Sequence, residues 1–207
     1  MTLSEQLHAG VKDLGLKLDE DQRQRLLKYL ALMSKWNQVH NLTAIRNPAD
    51  MVSHHLLDSL AVVPYVEDGP LLDVGSGAGL PGIPLAIAKP TQAITTLDSN
   101  DKKCAFMRQA VAELNIMNVS VCFHRVEDWK PSNTFAQVVS RAFSELSNFV
   151  KSCAHLLSPG GHLLAMKGQL PRDEIARLPT NFEVKRIEPL EVPGLDAERH
   201  LLWIAAK

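Results

Sequence analysis

A glycine-rich run, Gly75-Ser76-Gly77-Ala78-Gly79, lies between a short apolar run and a stretch with helical apolar spacing. The apolar run, Leu71–Val74, has the length of a buried strand, and the helical stretch covers residues 81–88. Glycines at such a turn let the backbone approach a ligand closely and bring a helix N-terminus up to it. The run therefore predicts a strand, turn and helix of an α/β fold, with a ligand at the carboxyl edge of the sheet.

Beyond this unit, short apolar runs alternate with amphipathic stretches, which is typical of a parallel sheet covered by helices. The predicted strands are 71–74, 94–97, 119–123, 137–141 and 162–166. The predicted helices are 81–88, 101–115 and 144–157, and a turn at Ser158-Pro159-Gly160-Gly161 is expected to end the last of them. Two final strands, Phe182–Pro189 and His200–Ala206, are expected to pair, with the last strand antiparallel.

Residues 1–65 carry only helical signals. Asp19 begins one helix, and Leu26, Leu30 and Met33 follow it at helical spacing. Asn47 is an N-cap for a second helix, whose apolar face ends at Pro64. The sequence thus predicts an N-terminal helical extension, residues 1–65, packed on a sheet domain, residues 66–207.

Charge and cysteine usage narrow the class of protein. Of 207 residues, 22 are Lys or Arg and 23 are Asp or Glu, a net charge of −1, which argues against a protein that grips nucleic acid with its whole surface but allows a local basic patch. No apolar stretch reaches the length of a membrane span, and the N-terminus lacks a leader pattern, so we expect a cytoplasmic protein without a membrane partner. Three widely spaced cysteines predict neither a disulfide framework nor a metal site, and we expect no metal.

Two ligand-binding patterns match the glycine-rich run. Counted from Gly77, residues 77–82 match the G-x-G-x-x-G pattern of dinucleotide-binding proteins. Counted from Asp73, residues 73–79 match the acid-x-G-x-G-x-G loop of S-adenosylmethionine-dependent methyltransferases. A carboxylate at Asp73 would repel a pyrophosphate but favour the ammonium and sulfonium of S-adenosylmethionine, so the methyl donor is the preferred interpretation.

Acidic residues also follow the next two predicted strands. Asp98 stands where a carboxylate can accept hydrogen bonds from ribose hydroxyls, although it is also placed to cap the following helix. The backbone amides of Val126 and Glu127 are placed to bind the edge of an adenine. Because both cofactors contain adenosine, these residues support the fold without deciding between them.

Longer motifs match one family over almost the whole chain. They are Asp73 through Pro84, His55-Leu56-Leu57-Asp58-Ser59, Ser140-Arg141-Ala142-Phe143, Met166-Lys167-Gly168 and Glu198-Arg199-His200. In these motifs the sequence resembles the bacterial glucose-inhibited division protein B family, the small-subunit ribosomal RNA guanine-N7 methyltransferases. The resemblance implies an α/β fold of the class I S-adenosylmethionine-dependent methyltransferases, Rossmann-like, with an N-terminal helical extension.

The resemblance also implies a set of site residues. S-adenosylmethionine is the expected cofactor, contacted by Gly75, Leu80, Val126, Glu127 and Arg141. To these we add, from the residue argument alone, Asp73, Gly77, Gly79 and Asp98. The expected partner is 16S ribosomal RNA, within the small subunit or its precursor, met by a monomeric enzyme. Candidate contacts with the RNA are Lys102, Lys167, Arg199 and His55.

The absence of two sequence signatures of other methyltransferases narrows the reaction type. No cysteine follows a proline, as the nucleophile for methylation of pyrimidine carbon usually does, and no Pro-Pro pair marks methylation of an exocyclic amine. Guanine N7 carries its own lone pair at neutral pH, so transfer to it needs orientation and exclusion of water rather than an acid or base. We therefore expect no catalytic acid or base.

Two alternatives remain open at this point. An NAD-dependent oxidoreductase would use the pattern counted from Gly77, but both tyrosines, Tyr29 and Tyr65, precede the predicted sheet. A non-catalytic RNA-binding or ribosome assembly factor would keep the glycine loop as a relic. Titration with S-adenosylhomocysteine against NADH separates the first alternative, and cofactor binding without turnover would favour the second.

Overall fold

A single seven-stranded sheet forms the centre of the molecule in the computed structural model, which describes residues 1–141, 143 and 145–207. The strands are β1 (Leu71–Val74), β2 (Ile94–Asp98), β3 (Val119–Phe123), β4 (Phe135–Ser140), β5 (Leu157–Lys167), β6 (Phe182–Pro189) and β7 (His200–Ala206). Their order in the sheet is β3-β2-β1-β4-β5-β7-β6. Neighbours from β3 through β5 pair in parallel, and β7 is antiparallel to both β5 and β6. This confirms the predicted α/β fold and its antiparallel last strand.

Eight α-helices accompany the sheet in the described part of the chain. They are α1 (Leu3–Asp13), α2 (Glu20–His40), α3 (Pro48–Met51), α4 (Asp58–Leu60), α5 (Gly82–Ala88), α6 (Asp101–Glu113), α7 (Leu146–Cys153) and α8 (Arg172–Ala176). The predicted first residue of the helix over 144–157 and Ala142 of the family motif lie outside the described residues. The short α8 has no counterpart among the predicted helices.

The predicted turn at residues 158–161 is wrong, because these residues belong to β5. Phe135 of β4 pairs with Leu157 while Gln137 pairs with His162, so β5 carries extra residues opposite β4. Gly160 has a positive φ of 77°, and a Cβ on Gly161 would lie 2.8 Å from the Ala136 carbonyl oxygen. The two glycines therefore accommodate an irregular strand, and a 3₁₀ turn at Ala154–Leu156 continues from α7 instead.

In the helical extension, α2 and α3 begin where the sequence predicts, whereas α1 was not predicted. The Asp19 side chain accepts from the Gln22 amide at the start of α2, and the Asn47 side chain accepts from the Ala49 amide at the start of α3. The second predicted helix is not regular, since a π-helical segment, Val52–Leu57, joins α3 to α4.

The extension and the sheet share one apolar layer. Leu26 and Met33 of α2 pack in one cluster with Leu71 of β1, Ile83 of α5 and Phe106 of α6, all of them fully buried. A second cluster on the other face of the sheet contains Leu72, Val138, Phe149 and Leu163. The sheet is thus covered by apolar residues on both faces, while the division of the chain at residue 65 stays a prediction.

Two of the three cysteines, Cys104 and Cys153, are buried as expected, and Cys122 is half-buried. Across the described residues, no helix combines the length and the apolar character that crossing a membrane requires.

Candidate functional site

The glycine-rich loop connects β1 to α5 at the carboxyl edge of the sheet. Gly75, Gly77 and Gly79 have φ angles of 68°, 60° and 85°, in the left-handed region that favours glycine. A Cβ on Gly79 would also lie 2.5 Å from Cδ1 of Ile83. The three predicted glycines therefore set the shape of the loop.

Asp98, at the end of β2, is bonded to this loop. Its Oδ2 accepts from the Gly77 amide at 2.8 Å, and its Oδ1 accepts from the Asn100 amide at 2.9 Å. Each carboxylate oxygen has a further lone pair, so Asp98 can still accept from a bound molecule. It is both a support of the loop and an acceptor at the edge of the sheet.

A cavity of about 310 Å³, the loop cavity, lies beside Asp98. Its lining residues are Val74, Gly75, Leu97, Asp98, Ser99, Lys103, His124, Arg125, Val126, Glu127 and Phe143. The predicted cofactor residues Gly75, Asp98, Val126 and Glu127 come together here. Leu80 is buried, and neither it nor Gly77 nor Gly79 lines the loop cavity. Phe143, the last residue of the matched motif Ser140-Arg141-Ala142-Phe143, also lines the cavity but was not among the predicted site residues.

Asp73 lies behind the loop. Its side chain is fully buried, and its Oδ2 accepts from the Gly82 amide at 2.9 Å, which fixes the start of α5. Among the described residues its Oδ1 has no hydrogen-bond partner. Burial raises the pKa of Asp73 to about 7, against the bond from Gly82. Its carboxyl group is therefore a support of the loop in this structure, and direct contact with a ligand stays a prediction.

Asp73→Asn is expected to change how stability depends on pH. The folded-state pKa of about 7 lies above the unfolded value of 3.8, so between these values the folded protein binds more protons than the unfolded chain. The contribution of Asp73 to stability is therefore full below about pH 3.8 and is lost as the pH rises through 7. The wild type should lose up to about 1.4 kcal/mol per pH unit relative to the variant over this window.

Urea unfolding of both proteins at pH 5, 6, 7 and 8 measures this difference. Burial also lowers the pKa of His55 to about 4, which acts in the opposite direction, but His55 is common to both proteins and cancels in the comparison. If the free energies of unfolding of the two proteins differed by the same amount at pH 5 and pH 7, the raised pKa of Asp73 in the folded protein would be contradicted.

The helical extension also supports the loop. The Tyr29 hydroxyl of α2, fully buried, donates to the carbonyl oxygen of Ala78 in the middle of the loop. No local pattern in the sequence indicates this contact, because 49 residues separate the two partners.

Tyr29→Phe should weaken binding of S-adenosylhomocysteine several-fold and lower the melting temperature by a few degrees. The variant keeps the buried ring but leaves the Ala78 carbonyl without its donor, a loss of about 1–2 kcal/mol. Isothermal titration and thermal unfolding measure the two effects. Tyr65→Phe is the matched control, because the Tyr65 hydroxyl bonds Glu188 at 3.2 Å and Tyr65 does not line the loop cavity. Equal affinities in the two variants would sink the idea that Tyr29 supports the loop.

A second cavity of about 430 Å³, the arginine cavity, opens beside the ends of β4 and β5. Its lining residues are Thr43, Ala44, Ile45, His54, His55, Asp58, Arg141, Met166, Lys167, Gly168 and Arg199. The two cavities adjoin, because Lys167 of this cavity donates to the carbonyl oxygen of Phe143 of the loop cavity at 3.1 Å.

Asp58 holds two arginines at the arginine cavity. Its Oδ2 accepts from Nη1 of Arg141 at 3.2 Å and its Oδ1 accepts from Nε of Arg199 at 2.8 Å, while its own side chain is only 3% exposed. Arg141 Nη1 also donates to the His54 carbonyl oxygen at 3.1 Å. Arg141, predicted as a cofactor contact, therefore lies at the second cavity, two residues from Phe143 of the first.

The four predicted RNA contacts are placed differently. Lys167 and Arg199 line the arginine cavity, and Lys167 is already paired with Glu174 at 2.8 Å. His55 lines it too but is buried, with Nε2 2.8 Å from the Thr43 hydroxyl and Nδ1 3.0 Å from the His54 carbonyl oxygen. Since that carbonyl can only accept, Nδ1 carries the proton and Nε2 accepts from Thr43. Lys102 is exposed on α6 and lines neither cavity.

The π-helical segment sets the position of Asp58. The Asp58 amide donates to the carbonyl oxygen of Ser53, five residues earlier, and to that of His55. Such segments are rare in proteins, and those that occur often lie at functional sites. Sequence reasoning missed Asp58, although it lies in the matched motif His55-Leu56-Leu57-Asp58-Ser59.

In the described part of the chain, no cluster of three or more His, Cys, Asp or Glu side chains is arranged to hold a metal ion.

Comparison with known sequences gives matches over the full chain. Residues 22–202 match the profile of the GidB family, described as rRNA small subunit methyltransferase G. A ribosomal RNA small subunit methyltransferase G from Methylobacillus flagellatus is 52% identical over 205 residues, 99% of both chains. One of the same name from Laribacter hongkongensis is 50% identical over 207 residues, 100% of both chains.

Solved structures similar to this fold are methyltransferases. The glycopeptide N-methyltransferase MtfA complexed with S-adenosylmethionine aligns with a TM-score of 0.63 at 13% identity, covering 74% of this chain and 87% of that one. A ribosomal protein L11 methylase from Lactobacillus delbrueckii subsp. bulgaricus aligns with a TM-score of 0.54 at 18% identity, covering 73% of this chain and 77% of that one. At these identities the likeness concerns the fold alone.

Proposed function

Because the chain belongs to the GidB family of rRNA small subunit methyltransferases G, it is an S-adenosylmethionine-dependent rRNA methyltransferase, and we propose that it methylates N7 of one guanine in bacterial 16S ribosomal RNA. The observation that carries the proposal is the pair of adjoining cavities at the carboxyl edge of the sheet. One has the chemistry for the cofactor, and the other presents cations beside it.

The loop cavity fits S-adenosylmethionine by its donor and acceptor chemistry. Asp98 supplies acceptors for the two hydroxyls of a ribose, and the amides of Val126 and Glu127 are placed for an adenine edge. The lining side chains of Lys103 and Arg125 balance those of Asp98 and Glu127, as suits a ligand of mixed charge. The amide of Gly77 is already bonded to Asp98 and is not available to a pyrophosphate. A pyrophosphate at this loop would instead meet the Asp98 carboxylate, which repels it.

Arg141 completes the proposed cofactor site from the neighbouring cavity. Its Nη1 is fixed by Asp58 and by the His54 carbonyl oxygen, so its guanidinium is held in place before any ligand binds. A fixed guanidinium forms strong paired hydrogen bonds with a carboxylate, which suits the methionine end of the cofactor. Gly75, at the mouth of the loop, allows close approach of that end, and Leu80 packs beneath the loop.

The proposed reaction asks for orientation more than for acid or base chemistry. When bound, S-adenosylmethionine supplies a methyl group on a sulfonium, which the lone pair of guanine N7 can attack without losing a proton. The chain's contribution is to hold the base beside the loop cavity and to exclude water, an effect large enough to supply most of the acceleration. His55, with a pKa lowered to about 4 by burial, is neutral at physiological pH and both of its nitrogens are used within the protein.

The proposal extends to the location of the enzyme, its oligomeric state and its substrate particle. We propose that the enzyme acts in the cytoplasm as a monomer, on the small subunit or its precursor. A near-neutral chain with Arg141, Lys167 and Arg199 around one cavity supports recognition through one patch rather than through the whole surface.

Transfer of labelled methyl groups to small subunits that lack this modification tests the proposal. Naked rRNA and transfer RNA are run in parallel, and titration with NADH against S-adenosylhomocysteine controls for cofactor class. Label recovered as 7-methylguanosine at one rRNA position is the expected result. Label on transfer RNA or on another atom would overturn the target, and binding of S-adenosylhomocysteine without transfer to any substrate would favour a non-catalytic role.

A further inference from the structure

The arginine cavity contains more positive charge than its protein partners neutralise. Arg141 and Arg199 share the single carboxylate of Asp58, while Lys167 is paired with Glu174. His55 is neutral, as its lowered pKa requires. The two guanidiniums and the one carboxylate leave one net positive charge. His54 is the remaining histidine that lines the cavity. The methionine end of the proposed cofactor carries both a carboxylate and an ammonium and leaves this net charge unchanged, so one bound phosphodiester would balance it.

The two arginines still have donors to offer. Arg199 uses Nε for Asp58 and Nη1 for the Glu198 carbonyl oxygen, and its Nη2 bonds no residue that the structure describes. The Arg199 side chain is 26% exposed, whereas that of Asp58 is 3% exposed. Asp58 therefore lies beneath the arginine and fixes it, and the open edge of the guanidinium is left for a ligand.

The remaining lining of the cavity suits a nucleotide. Ile45 from the extension and Met166 from β5 supply apolar surface, and a cavity of about 430 Å³ is within the range of small-ligand sites. Arginine is the residue of choice for phosphate, since its fork of donors matches phosphate oxygens. The cavity adjoins the loop cavity through the bond from Lys167 to Phe143, so a base in it would lie beside the proposed cofactor.

We propose that the arginine cavity is the site of the target nucleotide, that Arg199 binds a backbone phosphate of the RNA, and that Asp58 is the positioning residue that presents Arg199. This inference rests on the proposed function, since it assigns the RNA of that reaction to a cavity. Arg141, proposed above as a cofactor contact, is bonded to the other oxygen of the same carboxylate. Asp58 thus links the cofactor side and the RNA side of the site.

Binding, rather than turnover, is the primary measurement. Unmodified small subunits are titrated onto wild type, Arg199→Gln and Asp58→Asn in the presence of saturating S-adenosylhomocysteine, at several salt concentrations. Arg199→Gln should weaken subunit binding about tenfold and reduce the slope of log affinity against log salt by about one, as loss of one phosphate contact requires. Its affinity for S-adenosylhomocysteine should stay within about twofold of wild type.

Asp58 is tested through its partner. Asp58→Asn should weaken subunit binding by a similar factor, and the double variant Asp58→Asn/Arg199→Gln should bind no more weakly than the worse single variant, because both changes act on the RNA through the same Arg199 contact. Asp58→Asn also removes the bond to Arg141, but saturating S-adenosylhomocysteine offsets any weaker cofactor binding that results. Arg186→Gln is the control for loss of charge, since Arg186 is exposed on β6 and paired with Glu188. Melting temperatures identify any variant that fails to fold, and Arg199→Met, which also removes the charge, then replaces Arg199→Gln.

Three outcomes would overturn the inference. Unchanged subunit affinity and salt slope in Arg199→Gln would remove the phosphate contact. Loss of S-adenosylhomocysteine binding with intact subunit binding would assign Arg199 to the cofactor. Additive losses in the double variant would leave Asp58 without a positioning role. Because subunit binding is measured without turnover, a failure of the proposed N7 reaction would be seen separately, in the methyl-transfer experiment.

Discussion

Asp98→Ala is expected to raise the dissociation constant for S-adenosylhomocysteine by about 100-fold. The variant loses the acceptors proposed for the ribose hydroxyls, and hydrogen bonds to a charged group contribute about 1.5–3 kcal/mol each. It also removes the 2.8 Å bond that ties the Gly77 amide to β2, so the loop loses a support at the same time. Isothermal titration measures the affinity directly.

Asp101→Ala is the matched control for Asp98→Ala. Asp101 is exposed in the first turn of α6, so its removal changes the same charge three residues away without touching the loop cavity. Its affinity for S-adenosylhomocysteine should stay within about twofold of wild type. If Asp98→Ala bound the ligand as tightly as Asp101→Ala, the cofactor would have to be placed elsewhere.

Arg141→Ala is expected to reduce methyl transfer by about 100-fold while the chain stays folded. The guanidinium is 29% exposed, and truncating one partner of a charged contact with a ligand costs about 2–5 kcal/mol. Asp58 keeps Arg199 as its counter-ion, so the buried carboxylate is not left unpaired. The measurement is kcat/KM at limiting cofactor, together with the melting temperature.

Two further variants separate charge from geometry at Arg141. Arg141→Lys keeps the charge but loses the planar fork, so its loss of activity should lie between those of wild type and Arg141→Ala. Arg177→Ala removes an exposed arginine paired with Glu145 and should retain full activity. Turnover of Arg141→Ala equal to that of wild type would take Arg141 out of the site.

Strands were the most predictable part of this fold. The bounds of β1, β3, β6 and β7 agree residue by residue with the predicted strands, and β1 in particular is a short apolar run that ends at a glycine. Residues 158–161 misled the prediction, since Pro159, Gly160 and Gly161 are typical of turns. Only the pairing of β4 with β5 shows that these residues continue a strand.

The site was predictable where its residues lie close together in the chain. The glycine loop and Asp98 belong to one strand-turn-helix-strand unit, so their spacing carries the information. Sequence spacing does not indicate the cluster of Asp58, Arg141 and Arg199, because Asp58 lies 83 residues from Arg141 and 141 residues from Arg199. Such a cluster is created by the order of strands in the sheet, which brings the ends of β4 and β5 to the helical extension.

The π-helical segment Val52–Leu57 determines the direction in which Asp58 points toward its two arginines. Each residue of a helix turns it by about 100°, and the wider π turn absorbs the equivalent of one additional residue between the cap at Asn47 and the carboxylate at Asp58. Straightening this segment into an ordinary helix at the same chain length would rotate Asp58 by about 100°, away from both arginines. The position of this carboxylate therefore depends on an irregular helix, and a change that favoured regular helix geometry there would move it without replacing Asp58.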